Sequence, residues 1–518
     1  MQRSKKVLIN SIFGIAGYAI LMLSNFITRS VFISQLGMSM AGVDTTFKNF
    51  LQVLSLAELG LSTGLIYKLY KPIGNKDNAA IKRILNFYKQ AYKIISVIFM
   101  AGAFVLAFVV NFFVTDTDKS QLYIGILFIL YAGDTVASYL FANRKALIVA
   151  DQNNYIVNRN DAFISIITFI FQVILLYLTK SFIVYAIVKI VCRLIGACSI
   201  GYQFKKMYPE VAADKSKETI TGGERTSLLK NMGAMLCHRI GGVSVTATGS
   251  AIISKILGTV NAGIYGNYTL ITNTLITLVV QVFNGITASF GNIVTVEDQK
   301  TVYRRFNLLY FFNYWIFSFC TTSVAVLIQP FMKIWIGNKA ENLFSTSTVV
   351  LLLCYFYVNG IRRVVLMAKD SAGLYRPDRW FAITEASINI VLSVVLTLAL
   401  KSVNGLIIAN TVSMLIIPMW TQPYLVYKYV LKHSLGIYYI KYAVYAIVTA
   451  GETALTFWLC DLVVPKSNIW LELVIKAVFC LVIPNLINLI LFYRTEEMKD
   501  LKIMLKNLFF SKFSKKHN

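Results

Sequence analysis

Polar and charged side chains recur at helical spacing inside otherwise apolar stretches. Asp44, Lys48, Gln52, Ser55, Glu58 and Ser62 are separated by steps of four, four, three, three and four, which places them on one face of a helix. Ser11, Tyr18, Asn25 and Arg29 precede them at sevens and a four, and Arg239, Thr246 and Ser250 follow later with His238 beside them. Asn267, Thr274, Thr277, Gln281 and Asn284 trace one more stripe. Charges in apolar segments are costly and mark a site or pathway. Arg29, Lys48, Arg239 and Lys255, with His238, outnumber Asp44 and Glu58; Lys189, Arg193 and Asp134 lie in neighbouring apolar segments. A surplus of Lys and Arg suits an anion, and guanidinium grips phosphate oxygens in pairs. The expectation is a water-filled cavity lined by Tyr18, Asn25, Gln52, Ser55, His238, Thr246, Ser250, Asn267, Thr277, Gln281 and Asn284. The competing reading is that such groups pair and hold the bundle together; Asp44 and Lys48, one turn apart, are spaced to do so.

The elements that must position these residues are membrane spans. The 518 residues are 57% hydrophobic and 14% charged, with mean hydropathy +0.64, against about 45–50% and 25% in soluble domains. The apolar residues come in blocks of about 20, enough to cross the hydrocarbon layer. The fold class expected is an all-α polytopic membrane protein. Its fourteen spans fall near 8–33, 43–67, 94–114, 122–142, 161–179, 182–203, 232–256, 264–291, 306–328, 345–367, 381–400, 403–427, 443–463 and 470–492. Soluble enzymes, secreted modules and nucleic-acid-binding folds are excluded. The net charge of +26 then reflects basic cytoplasmic loops, not nucleic acid. With both termini inside, cytoplasmic segments hold 37 Lys and Arg, Arg362 and Arg363 at the membrane edge included, against six in the outer loops. The first apolar run, Leu8 to about Ile33, is too long for a signal peptide. The seven cysteines lie in apolar blocks without C-x-x-C spacing, and three histidines cannot build a His-rich metal site; no metal is expected.

At an offset of 221 the chain echoes itself. Asn10 meets Asn231, Leu36-Gly37 meets Leu257-Gly258, Ala41-Gly42 meets Ala262-Gly263, Leu54 meets Leu275 and Gly64 meets Gly285. Six spans separate the copies, so the halves point the same way: a parallel repeat, six plus six plus two. The expected organisation is a six-helix bundle over 1–205, a cytoplasmic linker over 206–231, a second bundle over 232–430, two further helices over 431–493 and a basic amphipathic tail over 494–518. Residues 76–93, with Ile81, Ile84, Leu85, Tyr88 and Tyr92, and the tail, with Met498, Leu501, Met504, Leu505 and Leu508, read as helices resting on the inner leaflet. The G-x-S-x-G of Gly60–Gly64 lies in a membrane helix and the D-x-D of Asp116–Asp118 in an outer loop, so neither supplies catalysis; an enzyme is not expected. No P-loop is present.

The stretch containing Leu36-Gly37, Glu58-Leu59-Gly60-Leu61-Ser62-Thr63-Gly64 and Leu69-Tyr70-Lys71-Pro72 resembles bacterial polysaccharide-biosynthesis flippases of the multidrug/oligosaccharidyl-lipid/polysaccharide exporter superfamily. The span number and repeat plan extend the likeness over the whole length. The resemblance implies two six-helix bundles in a V around a central cavity, in the bacterial plasma membrane. It implies alternating-access transfer of undecaprenyl-pyrophosphate-linked oligosaccharides to the outer leaflet, for capsule, O-antigen or other surface polysaccharide. Arg29, Lys48 and Arg239, with Lys255 a weaker candidate, would then face the diphosphate. Tyr18, Tyr265 and Tyr268 would meet sugars, and Asp44, Glu58 and Asp134 would couple the cycle to H+ or Na+. No cofactor is implied; the partners are the lipid-linked substrate, membrane lipids and the pathway's polymerase or glycosyltransferases. A multidrug or cation antiporter and a peptidoglycan lipid-precursor flippase are the alternatives. The charge count makes one direct prediction. A green fluorescent protein fused at the C-terminus fluoresces and an alkaline phosphatase fused there is inactive in a bacterial host; the reverse pattern contradicts the orientation.

Overall fold

The computed structural model describes residues 2–55, 59–220, 248–337, 343–465 and 468–503, with Gly222, Glu341 and Lys506. Over 2–16 and 59–64 and at a few other positions, Tyr18 and Asn284 among them, the backbone alone is described. Among the described residues there are α-helices and no strand. The first are α1 Gln2–Leu54, α2 Leu59–Gly74, α3 Asn78–Phe113, α4 Gln121–Tyr139, α5 Ala142–Ala150, α6 Asn154–Thr179, α7 Phe182–Met207, α8 Pro209–Ala213 and α9 Gly249–Leu257. Then follow α10 Thr259–Val296, α11 Gln299–Ile336, α12 Thr346–Ile361, α13 Arg363–Ser371, α14 Tyr375–Leu400, α15 Val403–Ile416, α16 Pro418–Val426, α17 Leu435–Val463 and α18 Ile469–Phe492.

Eleven helical segments among the described residues are long and apolar enough to cross a membrane. Their outer faces carry bare hydrocarbon: Leu178, Leu122, Ile447 and Ile490 are more than 70% exposed. A water-facing helix would not display such a surface, and a lipid-facing one must. This is a multi-pass membrane protein. The span expected at 8–33 falls on α1, which changes direction at Gly37, where φ is 84°, and the one expected at 43–67 is divided between α1 and α2. The span expected at 232–256 lies outside the described residues except for α9.

The chain divides into two compact units, Met1–Gly266 and Asn267–Asn518, and the division falls within α10. In unit 1, α1 packs along α6, α3 along α4 and α6 along α7. In unit 2, α14 packs along α15 and α11 along α12, α17 and α18. The last two helices are locked to α11 by polar contacts inside the apolar core. The Tyr314 hydroxyl donates to Asn488 Oδ1 at 2.5 Å, and the Trp315 indole donates to Asn485 at 2.8 Å. Ser318 donates to the buried Glu452, and Tyr314 stacks on Tyr445 with ring centroids 3.9 Å apart.

The repeat runs much further than its identities. α3 starts at Asn78 and α11 at Gln299; α5 and α13, and α6 and α14, match at both ends; α7 starts at Phe182 and α15 at Val403, always 221 apart. Of the eleven described residues with positive φ, eight repeat as well: Gly37 with Gly258, Asp116 with Gly337, Gln152 with Gly373, and Lys180 with Lys401. Such conformations are uncommon and disfavoured outside glycine, so four coincidences at one offset record a duplicated backbone. Within unit 1 the two L-G-x-x-x-A-G copies also meet. A Cβ on Gly42 would fall on the carbonyl oxygen of Thr259, and one on Gly263 on the carbonyl oxygen of Met38. Met38 and Thr259 are themselves 221 apart, so the contact is reciprocal, each glycine letting the other copy's backbone approach.

Two expectations are corrected. Residues 78–93 are not a separate interfacial helix: they are the first turns of α3, and Ile81, Ile84, Leu85, Tyr88 and Tyr92 are buried inside the protein. The apolar stripe was real, but protein covers it instead of lipid. In the tail, Met498 and Leu501 are buried in the core of unit 2. Arg304 there clasps Asp500 at 2.7 and 2.5 Å and holds its carboxyl below the usual carboxylate range. Met504, Leu505 and Leu508 lie outside the described residues.

The reciprocal crossing predicts that Gly42→Ala and Gly263→Ala each destabilise the protein by about 1–3 kcal/mol through overpacking. Thermal unfolding in nanodiscs should show both variants melting lower than Gly74→Ala, whose added Cβ meets nothing within 4 Å. Equal melting of all three contradicts the close crossing.

Candidate anion site in the first unit

α1 carries both Arg29 and Asp44, and its break at Gly37 lets the two stretches of the helix face each other. Arg29 Nη1 lies 2.8 Å from Asp44 Oδ2, and Lys48 Nζ lies 2.7 Å from the same oxygen. The other oxygen, Oδ1, accepts the Tyr131 hydroxyl from α4 at 2.6 Å. The Arg29 fork also reaches Thr45 Oγ1 at 3.1 Å and the carbonyl of Gly263 at 3.4 Å, tying the first copy of the motif to the second. Asp44 is buried, as is Arg29. The Lys48 side chain is 53% exposed.

A second cluster stands beside it. Asp134 on α4 receives Lys189 at 2.9 Å and Arg193 at 3.1 Å, both from α7 and one turn apart. The Lys189 ammonium lies 5.3 Å from the centre of the Tyr131 ring, so one tyrosine links the two clusters. Four cations therefore surround two carboxylates. The carboxylates are buried, while Lys48, Lys189 and Arg193 are partly exposed. With two cations to each carboxylate, the clusters carry a positive excess on partly exposed side chains. Such an arrangement draws a phosphate or another anion.

The expected site residues are distributed as follows. Arg29 and Lys48 come together on Asp44, and Asp134 joins through Tyr131. Lys255 shares no partner with them; its ammonium sits over the Phe112 ring at 3.7 Å. Arg239, His238, Thr246 and Glu58 lie outside the described residues, as do the side chains of Tyr18 and Asn284. Asn25, Gln52 and Gln281 are exposed, and Ser55 and Thr277 are half-buried. Ser250 is fully buried and accepts from Asn49 Nδ2 at 2.6 Å, and Asn267 is also fully buried, so these two are packing groups in this structure. Tyr268, expected to meet sugars, is buried and stacked on Phe344 instead.

Tyr131 was missed because a lone tyrosine in an apolar span carries no periodic signal; only folding brings it to Asp44. Glu452 was missed as well, although a single carboxylate in the middle of an apolar span was legible. Among the described residues there is no group of three or more His, Cys, Asp or Glu that could hold a metal.

This geometry defines the class as a multi-pass membrane protein, helical throughout its described residues and built on an internal duplication. No protein-family model matches the sequence, and no curated protein matches it. The fold itself is shared with membrane transporters. A lipid II flippase MurJ in an inward closed conformation superposes with a TM-score of 0.63 at 15% identity, covering 94% of this chain and 99% of that one. An inward-facing multidrug resistance MATE family transporter of the MOP superfamily gives 0.61 at 12% identity, covering 78% and 94%. A MOP superfamily transporter from Pyrococcus furiosus, described as having a binding pocket of reversed polarity, gives 0.53 at 16%, covering 83% and 97%. These are transporters and a flippase, not enzymes.

Removing one partner of a buried ion pair leaves the other uncompensated, at a cost of about 3–5 kcal/mol. Asp44→Asn should therefore lower the melting temperature strongly. Lys48→Gln, at a side chain that is half exposed, should change stability by less than about 1 kcal/mol. If the two variants melt alike, Asp44 does not organise the cluster.

Proposed function

We propose that this protein is a flippase for undecaprenyl-pyrophosphate-linked oligosaccharides. It carries them by alternating access from the cytoplasmic to the outer leaflet of the bacterial plasma membrane, for capsule, O-antigen or related surface polysaccharide. The observation that carries the reading is the excess of cations over carboxylates in unit 1. Lys48, Lys189 and Arg193 offer exposed positive groups, anchored by Asp44 and Asp134. A diphosphate is the part of such a substrate that stays the same whatever sugars follow. It needs several cationic donors at once, and Arg supplies two parallel hydrogen bonds to its oxygens. A transporter for cationic drugs needs the opposite balance. Arg239 remains a proposed member of the set, Lys255 does not, and Asp44 and Asp134 anchor the cations. Coupling to H+ or Na+ through Asp44, Glu58 or Asp134 belongs to the same proposal.

A second reading is favoured by one observation. The likeness to the lipid II flippase covers 99% of that chain and 94% of this one, more of this chain than the 78% covered by the multidrug transporter. A peptidoglycan precursor carries the same diphosphate, so the cationic site serves either cargo.

Depleting the protein in its host and measuring lipid-linked intermediates separates these readings. The proposal expects an undecaprenyl-diphosphate oligosaccharide to accumulate while surface polysaccharide falls. Accumulated lipid II with cell lysis identifies the second reading. An unchanged lipid-linked pool with altered tolerance of cationic drugs overturns both.

A further inference from the structure

Unit 1 contains a pocket of about 1190 Å³ that belongs to neither cluster of the anion site. Its walls are the first half of α3, the end of α4 and the strand of chain that follows α8. That strand is held in place by α3. Lys82 donates to the carbonyls of Val211, at 3.1 Å, and Asp214, and Asn86 donates to those of Ser216 and Glu218 at 2.8 and 3.0 Å. The strap brings Lys215 and Lys217 onto the same pocket as Lys89 and Lys93. None of these four ammonium groups is in an ion pair with a described carboxylate. Asp214, the acid that lines the pocket, is turned to its own backbone, accepting from the Ser216 amide at 2.7 Å.

The other end of the pocket is apolar, formed by Val97, Met100 and Ala101 of α3 with Val136 and Leu140 of α4. The change of character falls within α3: the lysines stop at Lys93, and from Ile94 to the end of the helix there is no charged residue. Val97 and Leu140 are more than half exposed. The pocket therefore crosses the level at which polar headgroups give way to hydrocarbon, on the side that the charge count assigns to the cytoplasm.

We propose that this pocket binds an anionic phospholipid of the cytoplasmic leaflet, its phosphate among Lys89, Lys93, Lys215 and Lys217 and an acyl chain along the α3–α4 wall. Basic pockets beside membrane helices on the cytoplasmic side recognise such headgroups, and each nearby lysine adds to the attraction. Five lysines and no arginine line the site; Lys82 holds the carbonyls of the strap, which leaves Lys89, Lys93, Lys215 and Lys217 for a ligand. They act as point charges on a compact phosphate and lack the planar forks that pair with oxygens two at a time. The pocket lies apart from the anion site, so the inference stands apart from the function proposed above.

The test uses the full-length protein and native mass spectrometry, in detergent with equal phosphatidylglycerol and phosphatidylcholine. The wild type should retain phosphatidylglycerol preferentially. Replacing all four lysines with glutamine should reduce that adduct at least about tenfold. Ala101→Trp fills the apolar end without altering charge and should reduce it as well, while replacement of the four lysines with arginine should preserve it. Loss of the adduct in the glutamine variant but not in Ala101→Trp would mean a diffuse surface attraction and would overturn the site. Equal retention of both lipids by the wild type would overturn it too. Displacement of phosphatidylglycerol by equimolar undecaprenyl diphosphate would replace the occupant proposed here with a substrate lipid.

Discussion

A carboxylate buried in a membrane protein must be neutralised, and Asp44 is where unit 1 meets that requirement. Arg29, Lys48 and Tyr131 all converge on its two oxygens. Lys48 lies one turn along the same stretch of α1, Arg29 reaches Asp44 from the other side of the break at Gly37, and Tyr131 comes from α4. Once Asp44 is in place, the position of Arg29 follows, and with it the contact from Arg29 to Gly263. Asp134 plays the same part for Lys189 and Arg193. The acids and Arg29 are buried while Lys48, Lys189 and Arg193 are partly exposed, so the unit presents a positive face without leaving a buried charge unpaired.

The duplication sets the frame on which this chemistry sits. Glycines at 42 and 263 admit the backbone of the opposite copy, and the two contacts are related by the same 221-residue offset as the helices. The copies have diverged in their polar content. Asp44 corresponds to Tyr265 and Arg29 to Ser250, so the charged cluster exists in one copy and a neutral one in the other. The backbone was kept while the site chemistry became one-sided. Unit 2 invested its buried polar groups elsewhere: Glu452, Ser318 and Asn488 bind the last two helices to α11.

Much of this was legible in the sequence. Apolar blocks marked the helices because hydrocarbon tolerates nothing else. The Asp44–Lys48 pair followed from helical spacing, and the repeat from a handful of identities around Leu36-Gly37. Other features were hidden because they depend on what packs against what. The stripe from Ile81 to Tyr92 looks the same whether lipid or protein covers it, and protein does. Ser250 and Asn267 share the spacing of a cavity wall but are enclosed by neighbouring helices. Tyr131 has no local signal at all, since its role comes from a residue 87 positions earlier.

The role proposed for the cations of unit 1 is to move a diphosphate-linked lipid across the bilayer. The most direct measurement places the purified protein in liposomes with a fluorescent undecaprenyl-diphosphate oligosaccharide and follows its transfer between leaflets by chemical quenching. Protein-dependent transfer is expected, lost when Lys189 and Arg193 are both replaced with glutamine in protein that still melts cooperatively. Transfer at the wild-type rate in that variant, or none by the wild type under an imposed ion gradient, would contradict it.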